Sequence, residues 1–124
     1  KAMSNPYTTI LGHPTGRLLL SREGYKVDLY KVIDAAAEKN KVIELNAHPY
    51  RLDLDWRFCK YAKERGVKVS INPDAHHIDD LSNASYGVGI ARKGWLTAMD
   101  GLNTMSLEEI KAFLLQKRHL QKRS

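Results

Sequence analysis

Apolar spacing in this chain switches repeatedly between the two-residue period of a strand and the 3.6-residue period of a helix. That alternation limits the possible folds more than any single motif does. Residues 8–12 (TTILG) form a short β-type run, and residues 27–39 place Leu29, Ile33, Ala36 and Ala37 at helical spacing. Residues 42–47 (VIELNA) are apolar enough for a buried strand. Asp53 or Asp55 can then cap a helix that carries Trp56, Cys59 and Ala62 on one face and ends at Gly66. Val67, Val69 and Ile71 alternate into the Asn72-Pro73 turn signal, and the glycine-interrupted stretch 84–93 reads as a helix. Ser106 and Glu109 form a capping box ahead of a last helix whose Leu107, Ile110, Phe113 and Leu114 make a stripe expected to be buried. The order β-α-β-α-β-α-α predicts an α/β fold with parallel strands joined by crossovers, either a doubly wound sheet or part of a β/α barrel. Both architectures place their chemistry beyond the carboxyl ends of the strands.

The composition allows such a core. With 124 residues, 43% hydrophobic and 27% charged, the chain is one domain or part of one, and neither a disordered nor a disulfide-stapled class fits. No apolar run is long enough for a membrane span, the first residues lack the regions of a signal peptide, and Cys59 is the single cysteine, so a cytoplasmic protein is expected. Opening on Lys1 in mid-phrase, the chain reads as a piece of something longer. Of the net charge of +6, residues 111–124 carry five through Lys111, Lys117, Arg118, Lys122 and Arg123, and residues 1–110 carry only +1. Residues 1–115 therefore read as the folded part and 116–124 as a basic tail, suited either to a phosphate backbone or simply to solvent.

The polar residues fall where the architecture puts a site. His13 follows the first strand in Gly12-His13-Pro14-Thr15-Gly16-Arg17, and Asp74-Ala75-His76-His77 follows the third. Imidazole and carboxylate together suit Zn²⁺, Mn²⁺ or Fe²⁺ better than Mg²⁺ or Ca²⁺. Asp-x-His alone also serves as a turn or helix cap, and it is the second strand end presenting His13 that favours a metal site. Arg17 is a candidate phosphate contact, with a surface salt bridge as the ordinary alternative. Glu44 lies inside a strand, where a carboxylate needs a partner or a function, and Asn46 and His48 follow it toward the same end. His48 reads as a ligand, a substrate contact or a plain loop histidine, the last by default, and His77 and His119 read as surface residues.

Other chemistries find less support. Cys59 sits on the buried face of a helix with no neighbouring base and reads as a core thiol. No P-loop or dinucleotide fingerprint occurs, since Gly87-Val88-Gly89 lacks the strand before and the helix after. Trp56 and Trp95 read as core or rim packing rather than base-stacking platforms.

The wording of five segments carries a family resemblance. LGHPTGRLLL (11–20), IELNAHPYRLDL (43–54), SINPDAHHIDDL (70–81), YGVGIARKGWL (86–96) and LNTMSLEEI (102–110) together resemble the later part of the PHP domain of bacterial and archaeal family X DNA polymerases, over about residues 5–113. The resemblance implies a (β/α)7 TIM-like barrel of which this chain is the later half. It also implies a cluster of divalent metal ions, Mn²⁺ foremost with Zn²⁺ or Fe as alternatives, and makes His13, Asp74 and His76 ligands. Glu44 and Asn46 match the family's Glu-x-Asn strand and would support the site. The implied activity is that of a phosphoesterase trimming DNA 3′ ends, as 3′–5′ exonuclease and 3′-phosphatase, beside a polymerase core that fills gaps in repair. DNA, that core and the first half of the barrel are then its partners.

The sequence departs from the family's pattern at His48, where asparagine is expected, and at Pro73 and His77. The resemblance also places the opening His-x-His pair and further ligands ahead of Lys1, so the isolated chain is expected to have little or no phosphoesterase activity. The unpaired edge of the first strand is expected to invite self-association. The alternatives are a non-catalytic, DNA- or metal-binding PHP domain, and a stand-alone PHP phosphatase of small phosphate esters.

Overall fold

The computed structural model describes residues 1–122, with side chains as far as Gln116. Three parallel strands, β1 (Ile10–Leu11), β2 (Val42–Asn46) and β3 (Val69–Asn72), form one sheet in the order β1-β2-β3. Ile10 lies opposite Val42, Ile43 opposite Val69, and Asn46 opposite Asn72. Helix α1 (Leu29–Glu38) carries the chain from β1 to β2, and α2 (Trp56–Glu64) from β2 to β3. After β3 come a 3-10 turn at Ile78–Asn83, α3 (Ala84–Lys93), and finally α4 (Leu107–Lys122). The α/β class, the parallel pairing and the order of elements are thus as the sequence predicts.

Local chemistry explains the boundaries. Asp28 caps α1 by accepting from the Lys31 N–H at 3.2 Å, and Asp55 caps α2 by accepting from the Arg57 N–H at 2.9 Å. Gly66 follows α2 at φ +72°, the left-handed conformation that suits glycine after a helix. The glycine-interrupted 84–93 segment is helical, and Gly87 lets α3 lie close on the sheet. A Cβ there would come within 2.5 Å of Ile71 and 2.7 Å of Ala47.

Alternation along the strands separates two faces. Ile43 and Leu45 of β2 and Val69 of β3 join Leu29, Ile33 and Ala36 of α1, Cys59 and Ala62 of α2, and Ala91 of α3 in one buried cluster. By the same register, Glu44, Asn46, Ser70 and Asn72 share the opposite face. One side of the sheet is therefore a hydrocarbon core under helices, and the other is lined with carboxylate, amide and hydroxyl groups.

The two sheet edges are treated differently. Along β3, the Leu102 N–H donates to the Val69 carbonyl at 2.8 Å. The Asn103 amide pairs with both backbone groups of Ile71, accepting from its N–H at 2.7 Å and donating to its carbonyl at 2.8 Å. A side chain here substitutes for a neighbouring strand. No strand or bridge lies on the outer side of β1 among the described residues.

One sequence expectation needs correction at the C-terminal end. The Ser106–Glu109 capping box forms, with bonds of 2.9 and 3.2 Å, but the stripe behind it is not buried. Leu107 is 66% exposed and Leu114 39%, and Ile110 and Phe113 are only half-buried. Periodicity establishes that a helix has an apolar face, whereas burial needs a facing element. The helix also continues to Lys122, so helical backbone runs on into the 116–124 segment read as a tail. The side chains of Lys117, Arg118, His119 and Lys122, and all of Arg123, lie outside the described residues. No described helix is long and apolar enough to cross a membrane.

Candidate metal centre

Each strand ends in a polar turn, and the three turns are bonded to one another. Beyond β1, the His13 N–H donates to Glu44 Oε2 at 2.6 Å, and Glu44 Oε1 accepts from Asn72 Nδ2 at 2.8 Å. The Ser70 hydroxyl donates to Asn72 Oδ1 at 2.9 Å, and Asn46 Oδ1 accepts from the His48 N–H at 3.0 Å. Glu44 thus has the partners that its place inside a strand requires. It links the end of β1 to the end of β3 across the polar face.

The loop after β2 folds back on its own strand, with the Asn46 N–H donating to the Asp53 carbonyl at 2.6 Å and the Asp53 N–H to the Asn46 carbonyl at 3.1 Å. This buries the Asp53 carboxylate against the His13 turn. Its Oδ2 accepts from the Thr15 N–H (2.9 Å), the Thr15 hydroxyl (2.9 Å) and the Gly16 N–H (3.0 Å), while Oδ1 is buried with no hydrogen-bond partner. Both strand-end turns carry left-handed residues other than glycine, His13 at φ +24° and Asp74 at φ +55°. Such geometry costs about 1–3 kcal/mol apiece and persists only where surrounding contacts impose it.

Arg17 is part of this bracing. Its Nε donates to the Arg51 carbonyl at 2.8 Å, one terminal nitrogen to Asp55 Oδ2 at 3.0 Å, and the other to the Leu52 carbonyl. The guanidinium straps two loops together. The Asp55 carboxyl is held well below the usual carboxylate range, chiefly by the Arg57 side-chain hydrogen bond, with Arg17 contributing and burial opposing.

The histidines differ in which nitrogen is available. His76 Nδ1 lies 2.8 Å from the Asp74 carbonyl, which can only accept, so Nδ1 carries the proton and Nε2 keeps a free lone pair. His48 Nδ1 instead accepts from the Tyr50 N–H at 3.2 Å, which leaves the proton of the neutral ring on Nε2. The environment of His76 therefore suits a metal ligand, and that of His48 suits a loop histidine or a donor. Asp80 accepts from the His76 and His77 N–H groups, both at 3.0 Å, and these bonds lower its carboxyl below the ordinary value. His77, Trp56 and Trp95 are exposed, with Lys93 Nζ 4.7 Å from the Trp56 ring centre.

His13 and the Asp74–His76 turn thus follow strands on either side of β2, with Glu44 between them. Among the described residues, no three His, Cys, Asp or Glu side chains converge as a group that could hold a metal ion. Two imidazoles and a carboxylate nevertheless suit a divalent transition metal in kind. Sequence reasoning passed over Arg51 and Ser70, and read Asp53 as a helix cap and Asn72 as part of a turn. For Ser70 and Asn72 the signal was parity, because strands paired with Glu44 opposite Ser70 must put Asn72 on Glu44's side.

Parallel strands under one helical layer, with histidines and carboxylates at their carboxyl ends, make this an α/β chain of the type that binds ligands beyond its strands. Comparison with known proteins is more specific. The chain is 44% identical over 113 residues, 91% of its length, to the Bacillus subtilis (strain 168) protein named DNA polymerase/3′-5′ exonuclease PolX, of which it covers 20%. It is 31% identical over 123 residues to a Thermoanaerobacter sp. (strain X514) protein named as a probable phosphatase, and 30% identical to another so named from Caldanaerobacter subterraneus subsp. tengcongensis. It covers 47% and 46% of these. The chain thus spans a fifth of the polymerase and about half of the two phosphatases. No protein-family model matches it. The resemblance to the later PHP part of a bacterial family X DNA polymerase, read from the five motifs, stands on this similarity.

Proposed function

We propose that this chain is the later part of a divalent-metal-dependent PHP phosphoesterase barrel belonging to a family X DNA polymerase. There it acts on DNA 3′ ends as a 3′–5′ exonuclease and 3′-phosphatase during repair synthesis. The observation that carries the reading is the placement of His13 and the Asp74–His76 turn at the ends of the two strands flanking Glu44, in a chain 44% identical to a stretch of a polymerase/exonuclease. Relatives named for phosphatase and for exonuclease activity share one reaction class, hydrolysis of a phosphate ester. The open outer side of β1 suits closure of the barrel by strands elsewhere in the full protein.

In this reading His13, Asp74 and His76 hold the metal, through the free Nε2 in the case of His76, with Mn²⁺ favoured and Zn²⁺ or Fe as alternatives. A divalent cation held by these residues would polarise a phosphoryl oxygen and neutralise its charge. The Asp74 carbonyl fixes the His76 tautomer, Glu44 and Asp53 fix the His13 turn, and the Glu44–Asn72–Ser70 chain keeps the polar face in register. The rest of the ligand set comes from the other half of the barrel, so the 124-residue chain alone has little or no activity.

In the full-length protein, His13→Ala and Asp74→Ala are expected to abolish Mn²⁺-dependent release of phosphate and nucleotides from DNA 3′ ends while leaving polymerisation intact. Nuclease activity unchanged in both variants defeats the assignment. A second reading, a phosphatase of small phosphate esters, is favoured by the relatives of that name, which match over 94% of the chain. Faster hydrolysis of small esters than of DNA ends would select it.

A further inference from the structure

Resting on the reading that DNA 3′ ends are the substrate, we propose that Leu20 is a strand-separating wedge, an apolar tip that enters the last base step of a duplex and frees its 3′ end. Residues 18–22 turn back on themselves. The Leu18 N–H donates to the Arg22 carbonyl at 2.9 Å, and the Arg22 N–H to the Leu18 carbonyl at 2.7 Å. At the tip, Leu20 is fully exposed and sits at φ +62°, a left-handed conformation that is costly for a bulky side chain. The base of the turn is held firmly. The Arg22 guanidinium donates to the Gly16 carbonyl at 2.8 Å and the Tyr25 N–H to the Thr15 carbonyl at 2.7 Å. The Tyr25 ring lies so close over Gly16 that a Cβ there would come within 2.4 Å of it.

Folding gains nothing from a leucine at that point, since asparagine or glycine would close the turn at lower cost. An exposed apolar side chain on a braced, strained tip points to a contact with a partner, and its surroundings favour DNA. The Leu19 N–H donates to the Tyr50 carbonyl at 2.6 Å, so the turn leans on the loop after β2 rather than on the open side of β1. That places it at the carboxyl ends of the strands, where the His13 and Asp74–His76 turns lie. Residues 17–26 carry Arg17, Arg22 and Lys26 against Glu23 alone, and exposed Tyr50 stands in the neighbouring loop. Cations that hold phosphates beside an aliphatic side chain that replaces stacking are the means by which proteins pry base steps apart. An end opened in this way can turn toward the strand ends, and burial of the leucine between bases offsets the lost stacking.

The test uses the full-length protein in EDTA with a blunt DNA duplex whose 3′-terminal base is 2-aminopurine, which brightens when it unstacks. Leu20→Asn accepts the left-handed backbone and removes the apolar tip, whereas Leu20→Met keeps an apolar tip. Binding by the parent and by Leu20→Met is expected to raise the fluorescence. Leu20→Asn is expected to lose that rise while keeping its duplex affinity, which phosphate contacts carry, and its melting temperature should stay level or increase. With Mn²⁺ added, Leu20→Asn should hydrolyse the duplex 3′ end on the order of tenfold more slowly, the size set by burying one leucine, and a single-stranded 3′ end at the parent rate. A rise as large in Leu20→Asn, or none in the bound parent, overturns the proposal. So does a lower melting temperature in Leu20→Asn, which would mean that another part of the full-length protein or a second copy covers the tip. A parent that binds no duplex defeats the DNA reading itself, and the wedge with it.

Discussion

Arg17 and Arg51 each donate a hydrogen bond to the other's backbone carbonyl, from Arg17 Nε at 2.8 Å and from an Arg51 terminal nitrogen at 3.3 Å. The exchange fastens the loop after β1 to the loop after β2, and the Arg17–Asp55 ion pair at 3.0 Å ties both to the start of α2. Removing the Arg17 side chain leaves the Arg51 and Leu52 carbonyls and a mostly buried Asp55 each short of a donor. Arg17→Ala should lower unfolding free energy by about 2–3 kcal/mol in urea titration. Arg17→Lys should recover little, because one ammonium cannot reach three acceptors in one plane.

Asp53 holds the His13 turn through three donors to a single oxygen, and its other oxygen is buried without a partner. Asp53→Asn can keep the accepting oxygen in place, so it should cost about 1–2 kcal/mol. Asp53→Ala loses all three bonds and should cost about 3 kcal/mol or more, while allowing His13 to leave its left-handed conformation. The check is unfolding of both variants alongside amide hydrogen exchange at Thr15 and Gly16. Exchange as slow in Asp53→Ala as in the parent would defeat the assignment.

Much of this framework was legible in the sequence, because period and capping are local properties. The positions of α1, α2 and β2 followed from Leu29, Ile33, Cys59 and Val42, with Asp55 one of two cap candidates for α2, and the 106–109 box formed as written. That Arg17 straps two loops did not follow, because its partners Arg51, Leu52 and Asp55 lie 34 to 38 residues along the chain. The same limit applies to Asp53, which reads as a helix cap in sequence and anchors a remote turn in the fold. Periodicity also could not say that the α4 stripe stays partly exposed.

The two glycines of α3 should respond oppositely to the same change. A Cβ on Gly87 meets Ile71 and Ala47 well inside contact distance, and one on Gly89 meets nothing within 4 Å. Gly89→Ala should stabilise the protein by about 0.5–1 kcal/mol through helix propensity alone. Gly87→Ala should destabilise it by about 1–3 kcal/mol by pushing α3 off the sheet. Equal melting-temperature shifts in the two variants would contradict this packing.

Acid should act on the fold through Asp55. Its carboxyl titrates below its unfolded value, chiefly because of Arg57 and with help from Arg17, so its stabilising effect is complete above the ordinary carboxylate range. That effect is lost as pH falls below about 4 toward the depressed native value. Unfolding free energy measured from pH 7 down to pH 3 should therefore fall more steeply in the parent than in Asp55→Asn. The variant should start about 1–2 kcal/mol lower at pH 7, as expected for a weakened cap and ion pair. Parallel curves would assign the acid sensitivity elsewhere.

Cys59 offers a readout of the same region. Its side chain is fully buried between α2 and the core, with Sγ 3.8 Å from the Asp55 carbonyl, and a Cβ on Gly94 would lie 2.4 Å from its own Cβ. Burial, reinforced by the Asp55 charge, pushes the thiol up to about 12. Thiolate is the reactive form, so at pH 8 the native protein presents almost none of it to an alkylating reagent. Iodoacetamide labelling of Cys59 should be negligible on the time scale in which a free thiol reacts fully. In sub-denaturing urea it should rise in proportion to the open population, since reaction then requires α2 to leave the sheet. Asp55→Asn should speed labelling in water by the same factor by which it lowers stability. Fast labelling of the native parent at pH 8 would place Cys59 outside the core.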